Sequence, residues 1–250
     1  MPIRQPIAAR RMLVSPWPRA LRRMGRWTWL PLLLLVAACN GQTLFQSNFD
    51  PTAPGEPPAV AQTVGTAHVF GPPGSVVVVA APVQPPSDKW VRIARADNKA
   101  QIAGMQGALA QFAGAGSYTF STYMFMPSGA GLATIQFEPF GQAPDNLMSF
   151  LHIDFLQNNT VRIDDIDATA FGSFPRDQIF IVLVSLNINA SAPTAHIVIS
   201  GAGASGTKDY TIQPAFISMA QQFGAVRLWM GFPWTGSFQA SNIGVSYVMP

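Results

Sequence analysis

From about residue 75 to the C-terminus, short apolar or alternating runs recur between Gly, Pro, Asn and Ser punctuation. That rhythm predicts strands rather than helices. The runs fall at residues 75–83, 89–96, 117–126, 132–138, 149–157, 160–164, 179–188, 195–200, 208–213, 224–231 and 237–248, and only 214–223 has the character of a short helix. Alternation sorts the faces: Leu151, Ile153 and Phe155 oppose His152 and Asp154, and Ala133, Ile135 and Phe137 oppose Thr134, Gln136 and Glu138. Each of these strands is expected to have one buried and one wet face. Phe180–Val184 and Val76–Val79 are apolar on both faces, as expected of central strands. Asn158-Asn159 sits between two such runs, and because Asn tolerates positive φ a tight hairpin is expected there. The fold predicted is all-β, a two-sheet antiparallel sandwich.

Ahead of the strands the pattern changes twice. Residues 51–58, Pro-Thr-Ala-Pro-Gly-Glu-Pro-Pro, read as extended linker, and Thr43–Phe49 mixes tether with a possible edge strand. The organisation expected is a leader over 1–38, a tether over 39–58 and one sandwich domain over 59–250. Within the leader, the twelve-residue apolar run Trp27–Ala38 is too short to span a bilayer as a helix, and small residues precede Cys39, which fits an export signal.

With its arginines, its apolar run and Val36-Ala37-Ala38-Cys39, this segment resembles a bacterial lipoprotein signal peptide with its lipobox. The resemblance implies cleavage before Cys39, acylation of its thiol and amine, and membrane attachment through the lipid. In that family an Asp after the cysteine often retains the protein at the inner membrane. Asn40 stands here, which implies a bacterial envelope protein held at the outer membrane. The alternative is an unmodified thiol; as the only cysteine, Cys39 forms no intramolecular disulfide.

Removing the leader changes the charge picture. The chain carries 15 Lys+Arg and 12 Asp+Glu, but seven arginines and no acids precede Cys39. The mature part keeps eight basic and twelve acidic side chains, so it lacks the basic face that nucleic-acid binding requires.

The run Ser117–Phe125, the Leu151–Ile163 hairpin, Gln178–Asn187 with Ala195–Ser200, and the closing Gly236–Tyr247 resemble the concanavalin A-like jelly roll of lectins, glucanases and polysaccharide lyases. Many relatives carry Asp-Asn before the last strand, whereas this chain has Ser241-Asn242. The resemblance implies a concave sheet that often binds glycans. Candidates with outward parity are Gln136, Glu138, Arg162, Arg227 and Trp229, with Trp229 stacking on a sugar and the polar groups bonding its hydroxyls. The same face could instead dock an envelope protein.

For a polysaccharide-active enzyme, hydrolase or lyase, the candidates are His152 and Asp154, a base and its orienter two residues apart. Retaining jelly-roll glucanases use two glutamates and an aspartate alternating on one strand; here the only glutamates are Glu56 and Glu138. No cofactor is expected. Asp164, Asp165 and Asp167 could offer oxygens to calcium but lack the spacing of a known loop, and His68, His152 and His196 have no cysteine partners for zinc. Gly201–Gly206 matches a dinucleotide-loop spacing but precedes an alternating run, not a helix, so a hairpin is expected.

Overall fold

The computed structural model describes residues 41–83, 89–97, 101–143, 146 and 148–249. The leader and Cys39 lie outside the described residues. Gly41–Pro250 forms one compact unit. It holds β1 (Gln42–Ser47), β2 (Thr66–Phe70), β3 (Val76–Ala80), β4 (Lys89–Arg95), β5 (Ala103–Ala108), β6 (Gly116–Phe125), β7 (Ala133–Pro139), β8 (Leu151–Phe155), β9 (Thr160–Ile163) and β10 (Ile166–Ser173). Then follow β11 (Ile179–Ile188), β12 (Thr194–Gly201), β13 (Ala204–Thr211), β14 (Phe223–Met230) and β15 (Gly236–Val248). A 3-10 turn, Pro214–Phe216, and the one-turn helix α1, Ile217–Ala220, occupy the single stretch of predicted helical character.

The strands pair antiparallel in two layers. One sheet runs β2-β5-β14-β7-β8-β9-β10 and the other β13-β12-β11-β6-β15-β4-β3, joined at one edge by the pair Ser173 and Ser205. Inward residues of alternating parity fill the space between them, and aromatic pairs cross it: Phe120 of β6 meets Phe137 of β7 with ring centroids 5.4 Å apart, and Phe155 of β8 meets Phe180 of β11 at 5.7 Å. This is the expected sandwich.

Three expectations change. The compact unit begins at Gly41 rather than at residue 59: β1 pairs with the second half of β15, and Leu44, Phe45 and Phe49 are fully buried. The apolar sequence β3 is an edge strand, not a central one. Val76, Val77 and Val78 are buried, and the Pro-rich stretch lies along that edge, with Gly55 N–H donating to Val78 O and Val78 N–H to Glu56 O. In β11, which is central, Ile179, Ile181 and Leu183 are only half-buried on its outer side. The Asn158-Asn159 hairpin forms as expected, with Asn159 at φ 69° and Asn158 Oδ1 accepting from Thr160 N–H.

Candidate functional site

The outer face of the first sheet collects the polar residues. Across five neighbouring strands, His68, Gln106, Arg227, Gln136 and His152 stand on one rung. The next rung carries Phe70, Gly104, Trp229, Thr134, Asp154 and Arg162. All seven polar-face candidates read from the sequence therefore share one face of one sheet.

That face is not uniformly wet. Glu138 and Arg227 are fully buried, Gln136 is 5% exposed and Asp154 1%, so four of the seven expected solvent-facing groups are enclosed. The cover is the segment after β7. Arg227 donates to Asn146 O at 2.6 Å and Gln106 to Gln142 O at 3.3 Å, which closes one end of the sheet. Under it Arg227 pairs with Glu138 through both carboxylate oxygens, Gln106 donates to Glu138 Oε2 at 2.6 Å, and the guanidinium lies 4.9 Å over the Phe70 ring. Burial raises the Glu138 carboxyl above its usual range, while Arg227 and Gln106 pull it back. This pair is structural: its charges are matched and enclosed, and no ligand reaches them.

The other end is open. A recess of about 520 Å³ is lined by Leu156, Gln157, Asn158, Arg162 and Trp234. Two arginines set its walls. Buried Arg95 donates to the carbonyls of Gly231 and Trp234, fixing the loop that presents the indole. Arg176 donates to Asn159 Oδ1 and to the carbonyls of Leu156, Gln157, Pro127 and Ala130, fixing the turn opposite. Trp229 is half-buried beside the recess, close enough to Gly231 that any Cβ there would lie 2.3 Å from its Cζ3.

At the same end, an acidic cluster surrounds His152. Its Nε2 is 3.3 Å from Asp165 Oδ2 and 3.9 Å from Asp154 Oδ2, and its Nδ1 is 3.6 Å from Asp164 Oδ1. Arg162 spreads over three carboxylates, with Nε to Asp154 at 3.2 Å, Nη2 to Asp165 at 2.8 Å and Nη1 to Asp167 at 2.7 Å. Thr134 Oγ1 donates to Asp154 Oδ1 at 2.8 Å, and Tyr210 donates to Asp164 Oδ2, which together with burial pushes its phenol up to about 12. Burial also raises the Asp154 carboxyl. Burial acts the same way on Asp165, but the hydrogen bond from Asp154 and the neighbouring His152 and Arg162 outweigh it and leave that group below its usual range. The two carboxyls are thus pushed in opposite directions, Asp154 up and Asp165 down. The Asp164-Asp165 turn, both residues at positive φ, brings Asp165 back over β8.

His152, Asp154 and Asp165 could together ligate a metal, since their ligand atoms lie within 4.8 Å of one another. Arg162 already supplies the counter-charge there. The possible calcium turn contributes Asp164 and Asp165 to this cluster, while Asp167 is bound by Arg162 alone among the described residues.

Sequence pattern missed Gln106 and the wall-forming role of Trp234, and it named Asp165 only as a possible calcium donor and His68 only as a histidine without zinc partners, not as members of this face. Gln106 sits in β5, Ala-Gly-Met-Gln-Gly-Ala, which has no β-branched residue to announce a strand. A second constellation, Thr119, Ser185, His196 and Asp209, shares a rung of the other sheet, with His196 Nδ1 2.6 Å from Asp209 Oδ1. Among the described residues no hydrogen bond joins Ser185 to His196, so the serine has no base in place to activate it as a nucleophile.

No family model matches the chain, and no curated protein does. Among solved structures it is similar to an endo-1,3-beta-glucanase from Streptomyces sioyaensis, at 11% identity over 84% of this chain and 98% of that one, with a TM-score of 0.51. Arcelin-5, a lectin-like defence protein from Phaseolus vulgaris, gives 6%, 85%, 100% and 0.49 in the same order, and lectin I from Ulex europaeus 10%, 84%, 99% and 0.48. At such identities the likeness is one of fold: the chain is a jelly-roll β-sandwich.

Proposed function

We propose that this protein is a lipid-anchored envelope protein whose sandwich binds a glycan on the outer face of its first sheet. The observation that carries the glycan reading is the open recess between Trp234 and Arg162, whose Arg162 stands on the same rung as Asp154, Thr134 and Trp229. Aromatic planes beside directional polar groups match a sugar ring, which has apolar faces and hydroxyl edges. The site is confined to the open end, because the segment after β7 encloses Glu138 and Arg227. Arg227 and Glu138 therefore shape the groove from beneath rather than touch a ligand. Anchoring rests on the lipobox-like Val36–Cys39.

A second reading has its own support. Asp154 and Asp165 are carboxyls of split proton affinity in contact with His152, a combination suited to moving a proton in glycan cleavage. They stand closer together than the ~5 Å of retaining glycosidases, so any chemistry would run through a shared proton or His152.

Binding is tested by titrating the purified full chain with oligosaccharides, including β-1,3-gluco-oligosaccharides, the substrate class named for the glucanase of the same fold. Trp234→Ala should weaken binding about fivefold or more, the ~1 kcal/mol of a lost aromatic plane. Release of new reducing or unsaturated ends, abolished in His152→Ala, would favour the enzyme reading. Absence of binding across a broad glycan panel would overturn the glycan reading.

A further inference from the structure

We infer that the corner of the sandwich where the chain enters is a bilayer seat, with Phe112, Phe140, Val248 and Met249 pressed into the lipid interface and the recess turned away from it; this rests on the lipid-anchor reading above and adds the surface that meets the membrane.

The corner is defined by β1. Gln42 opens that strand opposite Tyr247, so the chain enters beside the C-terminal end of β15, the longest strand. Cys39 lies three residues earlier, a span of at most about 11 Å. Four large apolar side chains stand out here: Phe112 is 48% exposed, Phe140 47%, Val248 43% and Met249 76%. The rings of Phe112 and Phe140 are 6.0 Å apart, and Val248 and Met249 follow Tyr247 directly. The β5–β6 loop that carries Phe112 is fastened to the entry on both sides. Ala110 N–H donates to Leu44 O at 2.8 Å, Gln111 Nε2 to Gln42 Oε1 at 3.1 Å, and Tyr247 O–H to Ala115 O at 2.7 Å. An apolar ring is thus held outward on a fixed loop, where grouped exposed apolar surface marks a place of contact.

The surroundings select lipid as that contact. Insertion into a headgroup layer is opposed by any ionised side chain that must lose its water. Residues 39–49, 101–137 and 228–250 contain no Asp, Glu, Lys or Arg, so β1, β5, β6, β15 and the β5–β6 loop bring no such charge. Glu138, two residues before Phe140, is buried and paired with Arg227. By contrast, exposed Ile166 sits between Asp165 and Asp167. The strand that ends at the corner also sets the orientation. The thirteen residues of β15 rise about 40 Å, from Gly236 just after Trp234 of the recess to Val248. Seating one end in the bilayer therefore presents the other to the medium.

The test uses the full lipidated chain bound to phosphatidylethanolamine–phosphatidylglycerol vesicles. Cys39 is the only cysteine and its thiol would carry the lipid, so an introduced cysteine is the one free thiol. Ala110→Cys, exposed beside Phe112, and Gln157→Cys, exposed at the recess, each receive an environment-sensitive fluorophore. Spin-labelled lipid should quench the label at 110 and not the one at 157, and iodide should quench the label at 110 about threefold less, as for a group sunk into the interface. Phe112→Glu/Met249→Glu should abolish lipid quenching at 110 with an unchanged thermal midpoint, since both side chains are exposed. Equal iodide quenching at the two positions in vesicle-bound protein, or lipid quenching that survives the double substitution, would overturn the seat and leave the anchor intact. Shielding at 110 without lipid quenching would mean that a second copy covers the corner, which also overturns the seat. A chain that does not float with the vesicles would overturn anchor and seat together.

Discussion

Arginine is the residue that organises the glycan face, and it does so by holding other groups in place. Arg95 and Arg176 fasten the loops that wall the recess, Arg162 gathers three aspartates, and Arg227 neutralises Glu138 beneath the cover. The Arg227–Glu138 pair makes the sharpest stability statement. Glu138→Leu would leave a guanidinium buried without its carboxylate and should cost about 3–5 kcal/mol in urea unfolding, whereas Glu138→Leu/Arg227→Met should recover most of the loss. A single variant within 1 kcal/mol of wild type would show that the pair is not enclosed as described. Parity along the strands made these residues legible as one face, because Gln136, His152 and Arg227 alternate strictly with Phe137, Ile153 and Val226. Parity could not show which of them a distant segment covers. Nor could it place Asp165, which reaches His152 only through a turn with two residues at positive φ.

At the scale of elements, the strands with β-branched or aromatic alternation were legible, and those without it were not. β5 lacks such residues, β10 is exposed along most of its length, and β2 is a five-residue edge strand. β10 nevertheless connects the layers, since its Ser173 pairs with Ser205 of β13 beside Gly172. Gly172 has φ +57°, and a Cβ there would lie 2.2 Å from Ser205 O and 2.5 Å from Gly206 Cα. Gly172→Ala should therefore push β10 off β13, and the unfolding free energy should fall by about 2 kcal/mol or more from backbone conformation and collision together. Gly203→Ala isolates the first contribution: φ is +76°, but the nearest atom to an added Cβ is Pro175 Cβ at 3.4 Å. It should lose only about 1 kcal/mol. Equal losses in the two variants would mean that the β10–β13 junction does not set the stability of this edge.

For the whole molecule, the decisive length is the one between the proposed anchor and the first strand. β1 begins at Gln42, three residues after Cys39, and its Leu44 and Phe45 are locked in the core. Three residues reach at most about 11 Å. A lipid on Cys39 would thus hold the sandwich close to the membrane surface, without the twenty-residue tether that the Pro-rich composition of 51–58 first implied. That stretch instead covers the β3 edge through Gly55 and Glu56, a use of proline-rich chain that shields the unpaired backbone of an edge strand. Anchoring then becomes testable separately from binding. Cells expressing the full chain and fed a palmitate analogue should label the wild type in the membrane fraction, while Cys39→Ala should be unlabelled and keep the β-rich circular dichroism of the sandwich. Label persisting in Cys39→Ala, or no label on the wild type, would sink the anchor. If the anchor holds, extending the chain by a flexible insert between Asn40 and Gly41 should leave affinity for a soluble oligosaccharide unchanged, because the residues that line the recess, Leu156, Gln157, Asn158, Arg162 and Trp234, are far along the chain from the insert.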